Sequence, residues 1–264
     1  MGAIVGAPLT GSSDAGATTG NYCRYDGHAL VRLAGSPPPT TLTKYVHDSF
    51  RALVLNEHFS CIGGRAAVRQ NAYGFALYDR MDATGSTSAL AADLERFLHD
   101  EALQQKPLTA FIASFVEPVP RDEADFEAML WTTLQRLHDG DHSPWAPHRS
   151  ADPADPDFSF SFLGTGFFIV GLHGSSSRIT RRFAWPTLVF NPHDQFDRLR
   201  ESGSYGRFQR VIRGGDVALQ GSVNPMLSDF GERSEARQYS GRPVDDGWQC
   251  PFHAHQAARD SEGH

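Results

Sequence analysis

The residue best suited to bind a metal is Cys61, in the segment Phe59-Ser60-Cys61-Ile62-Gly63-Gly64-Arg65. It stands just before a Gly-rich turn that is placed to open a helix. Backbone N–H groups at the start of a helix would face the sulfur and stabilise its thiolate, which is the form that binds metals. A buried structural cysteine beside a turn is the alternative interpretation.

A second polar group follows a predicted strand, at Gly171-Leu172-His173-Gly174, with Arg178 and Arg182 shortly after it. Functional histidines are frequent at the ends of strands. His173 is therefore a candidate metal ligand, hydrogen-bond donor or general base, and Arg178 is a candidate to bind a carboxylate. A polar turn after a strand is the alternative.

The last third of the chain contributes two further groups. His193, in Phe190-Asn191-Pro192-His193, is the second histidine candidate, unless it or Asn191 caps the next helix. The region from Gln220 to Gly241 is dense in polar side chains, as a pocket wall would be. Its candidate residues are Gln220 and Asn224, together with Asp229 and Glu235, whose carboxylates suit a cationic substrate. A solvated loop network is the alternative.

His58-x-x-Cys61 and Cys250-x-x-His253 offer a competing metal site, because two Cys and two His can bind zinc tetrahedrally. The spacing within each pair is acceptable. Most of the chain separates the two pairs, however, unlike the ligands of a compact zinc module. The sequence contains no Rossmann, P-loop, HExxH or nucleophile-elbow motif.

The elements that must position these residues are predicted from hydrophobic spacing. In the first half of the chain it predicts helices over Thr41–Glu57, around Leu90–Leu98, and from an N-cap at Asp122 to about His138. Aromatic and β-branched residues predict strands over Tyr73–Tyr78 and Leu108–Phe115.

The second half of the chain begins with its most apolar part. Phe158–Phe162 alternates and Phe167–Leu172 is continuous, which predicts a hairpin of a half-buried and a central strand. The elements expected next are a strand over Trp185–Phe190, short helices near Asp194–Glu201 and Tyr205–Gly214, and an ordered loop after Gly221. The pattern predicts an α+β fold, a single domain with a largely antiparallel central sheet flanked by helices.

Composition limits the kind of protein. The 264 residues carry a net charge of −7 and include 18 Phe, so the chain can bury a substantial core. The absence of long basic and long apolar runs disfavours a nucleic-acid binder and a membrane helix. With no signal-peptide pattern and three scattered cysteines, the sequence predicts a cytoplasmic protein. We expect a partly mobile N-terminal segment over residues 1–40, a folded domain over 41–252 and a tail over 253–264.

Several of these segments together resemble the YqcI/YcgG family. The resemblance lies in Phe59-x-Cys61, the Phe158–Phe168 block, Gly171-Leu172-His173 with Ser175-Ser176-x-Arg178, Phe190-Asn191-Pro192-His193 and Ser234–Gly241. Members of this family include haem-dependent N-oxygenases of natural-product pathways that act on L-arginine and related guanidino amino acids. The resemblance implies that residues 41–252 form a haem b monooxygenase domain that hydroxylates a nitrogen of a small amino acid or amine, chiefly the guanidino group of L-arginine or a relative.

The resemblance also implies how haem would be held. Its Phe-x-Cys segment maps onto Cys61, whose turn is similar to that of haem-thiolate oxygenases, so Cys61 is the expected proximal iron ligand. His173, His193 and His58 stay open as alternative ligands. Gly63 would let the flat macrocycle approach the backbone. Arg65, Arg178 and Arg182 would bind the propionates.

On the substrate side, the resemblance implies that His173 or His193 assists O₂ activation. Glu235 or Asp229 would pair with a guanidinium or ammonium group, and Gln220 and Asn224 would orient the amino-acid end. No flavin or NAD site is visible, so an external reductase is implied. A haem-binding sensor or carrier without turnover is the rival function, a zinc-stabilised protein is third, and the sequence leaves a homodimer open.

Overall fold

A seven-stranded sheet with helices on both of its faces forms the protein. A computed structural model describes residues 20–32, 36–227 and 231–255 of the chain. The strands are β1 (Cys23–Tyr25), β2 (Leu30–Arg32), β3 (Tyr73–Arg80), β4 (Ala110–Glu117), β5 (Phe160–Phe162), β6 (Thr165–Leu172) and β7 (Thr187–Pro192). The helices are α1 (Thr41–Leu55), α2 (Ile62–Arg69), α3 (Thr84–Leu98), α4 (Glu101–Gln104), α5 (Glu123–Asp139), α6 (Asp194–Glu201), α7 (Tyr205–Gln220) and α8 (Ala236–Tyr239).

The strand order across the sheet is β2-β1-β3-β4-β7-β6-β5. Among the described strands, β3 and β4 form the one parallel pair, with Tyr73 opposite Ala110 and Arg80 opposite Glu117. Helices α3 and α4 lie between these two strands in the chain, as a parallel connection requires. All other pairings are antiparallel. The predicted single-domain α+β fold with a largely antiparallel sheet is therefore confirmed.

Strand β4 shows how the sheet separates two hydrophobic cores. Its Phe111 and Phe115 face a core built with α3 and α5, which we call the α3/α5 core. Its Ala110 and Ile112 face a second core built with α1 and α2, the α1/α2 core. Successive side chains of a strand point to opposite faces. The parity of a residue number within a strand thus decides on which side of the sheet its side chain lies.

Side-chain caps fix the starts of the helices that matter most here. Thr40 caps α1 and Asp122 caps α5 by accepting from the backbone N–H three residues on. Helix α5 covers its predicted segment, and α1 ends at Leu55, short of the predicted Glu57. The sulfur of Cys61 caps α2 by accepting from the N–H of Gly64 at 3.4 Å. The Gly-rich turn therefore opens a helix, as the sequence predicts.

The N-terminal segment contains an element that the sequence analysis missed. Strands β1 and β2 form a hairpin inside residues 1–40, and β1 pairs with β3. Asp100 anchors this hairpin by accepting from the Tyr22 hydroxyl and the Arg24 guanidinium, each at 2.8 Å. Strands of three residues carry too few alternations to show a period. The first 19 residues, where a mobile start was expected, lie outside the described residues.

Helix α7 is longer than predicted. The expectation that it ends near Gly214 is wrong, because it continues to Gln220. A Cβ at Gly215 would lie 2.9 Å from the Cβ of Ser60, so the glycine lets α7 pack closely on the segment before α2. The loop expected after Gly221 also contains the short helix α8. No helix in the described ranges is long and apolar enough to cross a membrane.

Candidate functional site

A cavity of about 200 Å³ lies between the sheet and helices α2, α6 and α7. Phe168 and Val170 of β6 and Asn191 of β7 form its sheet side. Val170 packs against the α1/α2 core, whereas Phe168 packs against the α3/α5 core. Its other described wall residues are Cys61, Gly63, Gly64, Ala67, Leu108, Thr109, Pro156, His193, Gln195, Phe196, Arg200, Tyr205, Phe208, Gln209, Ile212, Arg213, Leu227, Gly231, Arg233, Glu235 and Gln238. The structure thus brings Cys61, Gly63, His193 and Glu235 together from the sequence-based candidates.

Cys61 borders the cavity from the first turn of α2. Burial raises the pKa of its thiol, whereas the N–H groups of Gly64 and Gly63 act in the opposite direction. A metal that binds the sulfur takes the place of the proton, and the same N–H groups then stabilise the thiolate. Cys61 is accordingly equipped to bind a soft or borderline metal from one wall of the cavity.

Helix α7 covers the cavity and has a polar anchor. Asp216 is its one buried side chain. The Asp216 carboxylate accepts from the Ser60 hydroxyl at 2.7 Å and pairs with the Arg178 guanidinium at 3.2 Å. On the cavity side, a Cβ at Gly63 would lie 2.7 Å from the Phe208 ring. The cover therefore rests on a buried ion pair and on a tight glycine contact.

His193 borders the cavity just beyond the end of β7. Its side chain is buried, and its Nε2 lies 2.7 Å from Oε2 of Glu235. Its Nδ1 is buried without a hydrogen-bond partner. His193 stands at the N-cap of α6 but makes no capping bond through its side chain. The ring is therefore fixed at one nitrogen and unpartnered at the other. Helix capping does not explain the position of this side chain.

Glu235 is held between two protein groups. Its Oε1 accepts from the Tyr239 hydroxyl at 2.6 Å, and its Oε2 faces His193. Burial, and then the charge of Glu235, raise the pKa of Tyr239 well above its ordinary value, so this hydroxyl stays protonated and donates. These contacts make Glu235 a residue that orients His193, in place of the direct contact with a substrate cation that was predicted.

The structure does not bring His173 to the cavity. Its ring is fully buried and stacks on Phe126 of α5, with 4.3 Å between ring centroids. Neither ring nitrogen has a hydrogen-bond partner, and burial lowers the pKa of the imidazole to about 4. Residues Phe168 and Val170 face the cavity, so a residue of odd number after β6 points to the other face of the sheet.

The three arginines predicted to bind propionates also lie away from the cavity wall. Arg178 is paired with Asp216. Arg65 donates to the carbonyl of Glu57 at 3.1 Å, and Arg182 donates to the carbonyl of Ser176 at 2.7 Å. Their proposed role is thus not supported by their positions.

The arginines that do border the cavity are Arg200, Arg213 and Arg233, which the sequence analysis missed. Arg200 pairs with Asp197 of the same helix. A signal was present in α7, where the spacing of Tyr205, Phe208 and Ile212 marks one helical face. That face meets the cavity.

The polar residues that were expected to orient a substrate form hydrogen bonds with backbone groups of the protein. Gln220 accepts from the N–H of Ile179 and donates to the carbonyl of Ser177, at 2.8 and 2.9 Å. The side-chain oxygen of Asn224 accepts from the N–H of Met226. Neither side chain borders the cavity, and Asp229 lies outside the described residues.

The alternative zinc ligands are not gathered in one place. Cys61 borders the cavity, whereas Cys250 packs against the α3/α5 core. His58 lies on the surface beside Glu57, and the backbone of His253 pairs with Gln135 of α5. In the part of the chain that the structure describes, no three His, Cys, Asp or Glu residues are grouped closely enough to hold a metal.

Comparison with known proteins gives a family but no solved structure. A model of the YqcI/YcgG family matches residues 50–253, which include Cys61, His193 and Glu235. The uncharacterized protein YqcI of Bacillus subtilis (strain 168) is 25% identical over 228 residues, covering 80% of this chain and 89% of that protein. No solved structure matches.

Proposed function

Because the chain belongs to the YqcI/YcgG family, we propose that it is a haem-dependent monooxygenase that hydroxylates a nitrogen of a small amino acid or amine, with the guanidino group of L-arginine as the first substrate to test. The observation that carries the proposal is the position of Cys61. Its sulfur caps a helix by accepting from the N–H of Gly64, and the residue borders a largely apolar cavity. Those are conditions under which a thiolate can hold haem iron.

The residues around the cavity fit haem in their chemistry. Cys61 would hold the iron, and Phe168, Val170, Phe208 and Ile212 offer apolar contacts for a macrocycle. Arg200, Arg213 and Arg233 are the cations at the wall that would bind propionates, as guanidinium groups bind carboxylates well.

The cavity would have to enlarge to hold a haem. About 200 Å³ is below the ~300–1,000 Å³ typical of ligand pockets. A macrocycle would therefore require α6 and α7 to move outward. Such a movement exposes few apolar side chains, because α7 buries only Asp216 and α6 buries only Gln195. It would have to leave the buried Asp216–Arg178 pair in place.

A haem held by Cys61 would supply O₂ activation, for which two external electrons and two protons are needed if one oxygen atom is to reach the substrate nitrogen and the other to leave as water. The chain itself would bind the substrate, hold it near the iron and keep bulk water out with its apolar walls. His193 is the polar group at this wall with an unpartnered nitrogen. Electrons would come from a separate reductase.

Absorption spectra of the purified, haem-loaded protein test the proposal. We expect a Soret band, and a ferrous–CO band at the red-shifted position that thiolate ligation gives. Cys61→Ser should abolish or strongly shift that band, while Cys250→Ser, on the other side of the sheet, should leave it in place. A protein that shows no Soret band would refute haem binding. A ferrous–CO band without the red shift in the wild type would transfer the ligand role to a histidine, and an unchanged red-shifted band in Cys61→Ser would transfer it to another cysteine.

Turnover separates an enzyme from a haem sensor or carrier. With L-arginine, O₂ and a reductant, we expect oxygen-dependent consumption of arginine and an N-hydroxylated product. A protein that binds haem but consumes no arginine or other guanidino or amino substrate under these conditions would be a sensor or carrier.

A further inference from the structure

Two hydrogen-bond acceptors stand side by side at the end of β7. The first is His193. Tyr239 donates to Oε1 of Glu235, and carboxylate oxygens are hydrogen-bond acceptors, so we assign the proton of the 2.7 Å contact with Oε2 to Nε2 of His193. In a neutral ring, Nδ1 then carries a lone pair, and this buried nitrogen has no partner in the protein. Buried polar atoms without partners are rare, and this one, unlike the ring nitrogens of His173, belongs to a residue of the cavity wall, where a ligand or an ordered water can reach it.

The second acceptor is Asn191, two residues earlier. Its side-chain nitrogen donates to the carbonyls of Phe168 and Val189, at 3.0 and 3.3 Å. With both amide hydrogens used, the side-chain oxygen is left to accept. Asn191 and His193 both border the cavity, so the two residues belong to one wall.

We propose that Asn191 and His193 are the substrate-binding pair of the cavity, and that they accept hydrogen bonds from N–H groups of a guanidinium or amine. Glu235 and Tyr239 act as positioning residues, since they fix the tautomer and the orientation of His193. This inference rests on the proposed function and names the part of the substrate that the cavity recognises.

The wall as a whole carries three arginines and one glutamate, but the glutamate is the charged group beside His193, which agrees with a donor-rich ligand at this place. Glu235 is the one acidic residue among the described residues that border the cavity, and it lies directly behind His193. An imidazole nitrogen that accepts, with a carboxylate behind the ring, attracts a cationic donor and disfavours an anion. Arg200 and Arg233, at the same cavity, would instead suit carboxylates.

The tautomer can be measured without haem or substrate. Histidine labelled with ¹⁵N in the full chain reports the protonated nitrogen through its ring shifts, and the His193 signals are those lost in His193→Phe. We expect an Nε2-protonated ring in the wild type, and a changed ratio of tautomers in Glu235→Gln, whose amide can donate to Nε2. An Nδ1-protonated ring in the wild type would overturn the inference.

Binding of L-arginine to the haem-loaded protein tests recognition directly. Calorimetry should show that the wild type prefers L-arginine to L-norleucine, which lacks side-chain N–H groups. His193→Phe and Asn191→Leu should each weaken arginine binding tenfold or more and reduce that preference. His173→Phe removes a buried histidine outside the cavity and should bind like the wild type.

The outcomes separate this inference from the proposed function. Folded His193→Phe or Glu235→Gln with wild-type arginine affinity would overturn the inference while the haem spectrum stays intact. Should His193→Phe fail to fold, the nearly isosteric Glu235→Gln carries the same test. A missing Soret band would refute the haem proposal instead, and the tautomer measurement would still decide whether His193 presents an acceptor.

Discussion

Two adjacent glycines at the start of α2 have different surroundings. A Cβ at Gly64 would make ordinary contacts, the nearest being the Cys61 sulfur at 3.6 Å, whereas one at Gly63 would meet Phe208 at 2.7 Å. Alanine gains up to about 1 kcal/mol over glycine in a helix, but overpacking costs about 1–3 kcal/mol. Urea denaturation should show Gly64→Ala at least as stable as the wild type, and Gly63→Ala less stable by about 1 kcal/mol. Equal stabilities of Gly63→Ala and Gly64→Ala would show that the Phe208 ring moves aside at little cost.

His173 should make the protein sensitive to acid. Burial lowers its pKa to about 4, from about 6.5 in an unfolded chain. The unfolded state therefore takes up a proton first as the pH falls. The stabilisation is complete above about pH 6.5 and is lost progressively toward about pH 4, by up to about 3 kcal/mol.

Denaturation series at several pH values measure this effect. His173→Phe should lose less stability than the wild type between about pH 6.5 and pH 4, while His58→Phe, at an exposed position, should follow the wild type. Part of the loss will remain in His173→Phe, because burial also lowers the pKa of His47 and of His138. Parallel curves for His173→Phe and the wild type would contradict the assignment.

For single residues, the sequence predicts the surroundings of some candidates and not of others. The surroundings of Cys61 could be predicted, because a cysteine before two glycines determines its own local turn. His173 and His193 look alike in the sequence, since each ends an apolar strand. They differ because His173 points to α5, while His193 contacts Glu235, a residue that lies far along the chain from it. No local pattern contains that information.

Among the elements, the long apolar ones were predictable and the covering ones were not. Strands β3, β4 and β6 and helices α1, α3 and α5 bury continuous or periodic apolar residues, which define their type and extent. Helix α7 contains the glycine pair Gly214-Gly215, so its sequence favours an early end. Tertiary contacts override that preference, because Gly215 fits against Ser60 and Asp216 reaches Arg178.

Asp216→Asn should release α7. It leaves the Arg178 guanidinium buried without its counter-charge, and removing one partner of a buried ion pair costs about 3–5 kcal/mol. We expect faster hydrogen exchange across Tyr205–Gln220 and a lower free energy of unfolding. Asp82→Asn disrupts the exposed Arg80 pair and should change stability by less than about 1 kcal/mol. Unchanged exchange in α7 would show that apolar contacts hold it.

In the whole molecule, the two faces of the sheet differ, since one carries the larger core and the other carries the cavity. The α3/α5 core is the larger mass of buried aromatic residues and contains no cavity wall apart from partly buried Phe168. The other face carries the cavity, whose walls come from the start, middle and end of the described chain. The fold could be predicted because core residues are periodic, whereas the cavity could not, since it exists only once distant segments meet.

Because distant segments build the cavity, a ligand bound there should stabilise the entire domain. A ligand at a hundred times its dissociation constant adds about 2.7 kcal/mol, which corresponds to a rise in Tm of about 5–10 °C for a domain of this size. Thermal unfolding with and without excess haem should show this rise in the wild type and in Cys250→Ser. Cys61→Ser should show a much smaller one, since its haem lacks the thiolate bond. An equal rise in all three proteins would place haem somewhere other than against Cys61.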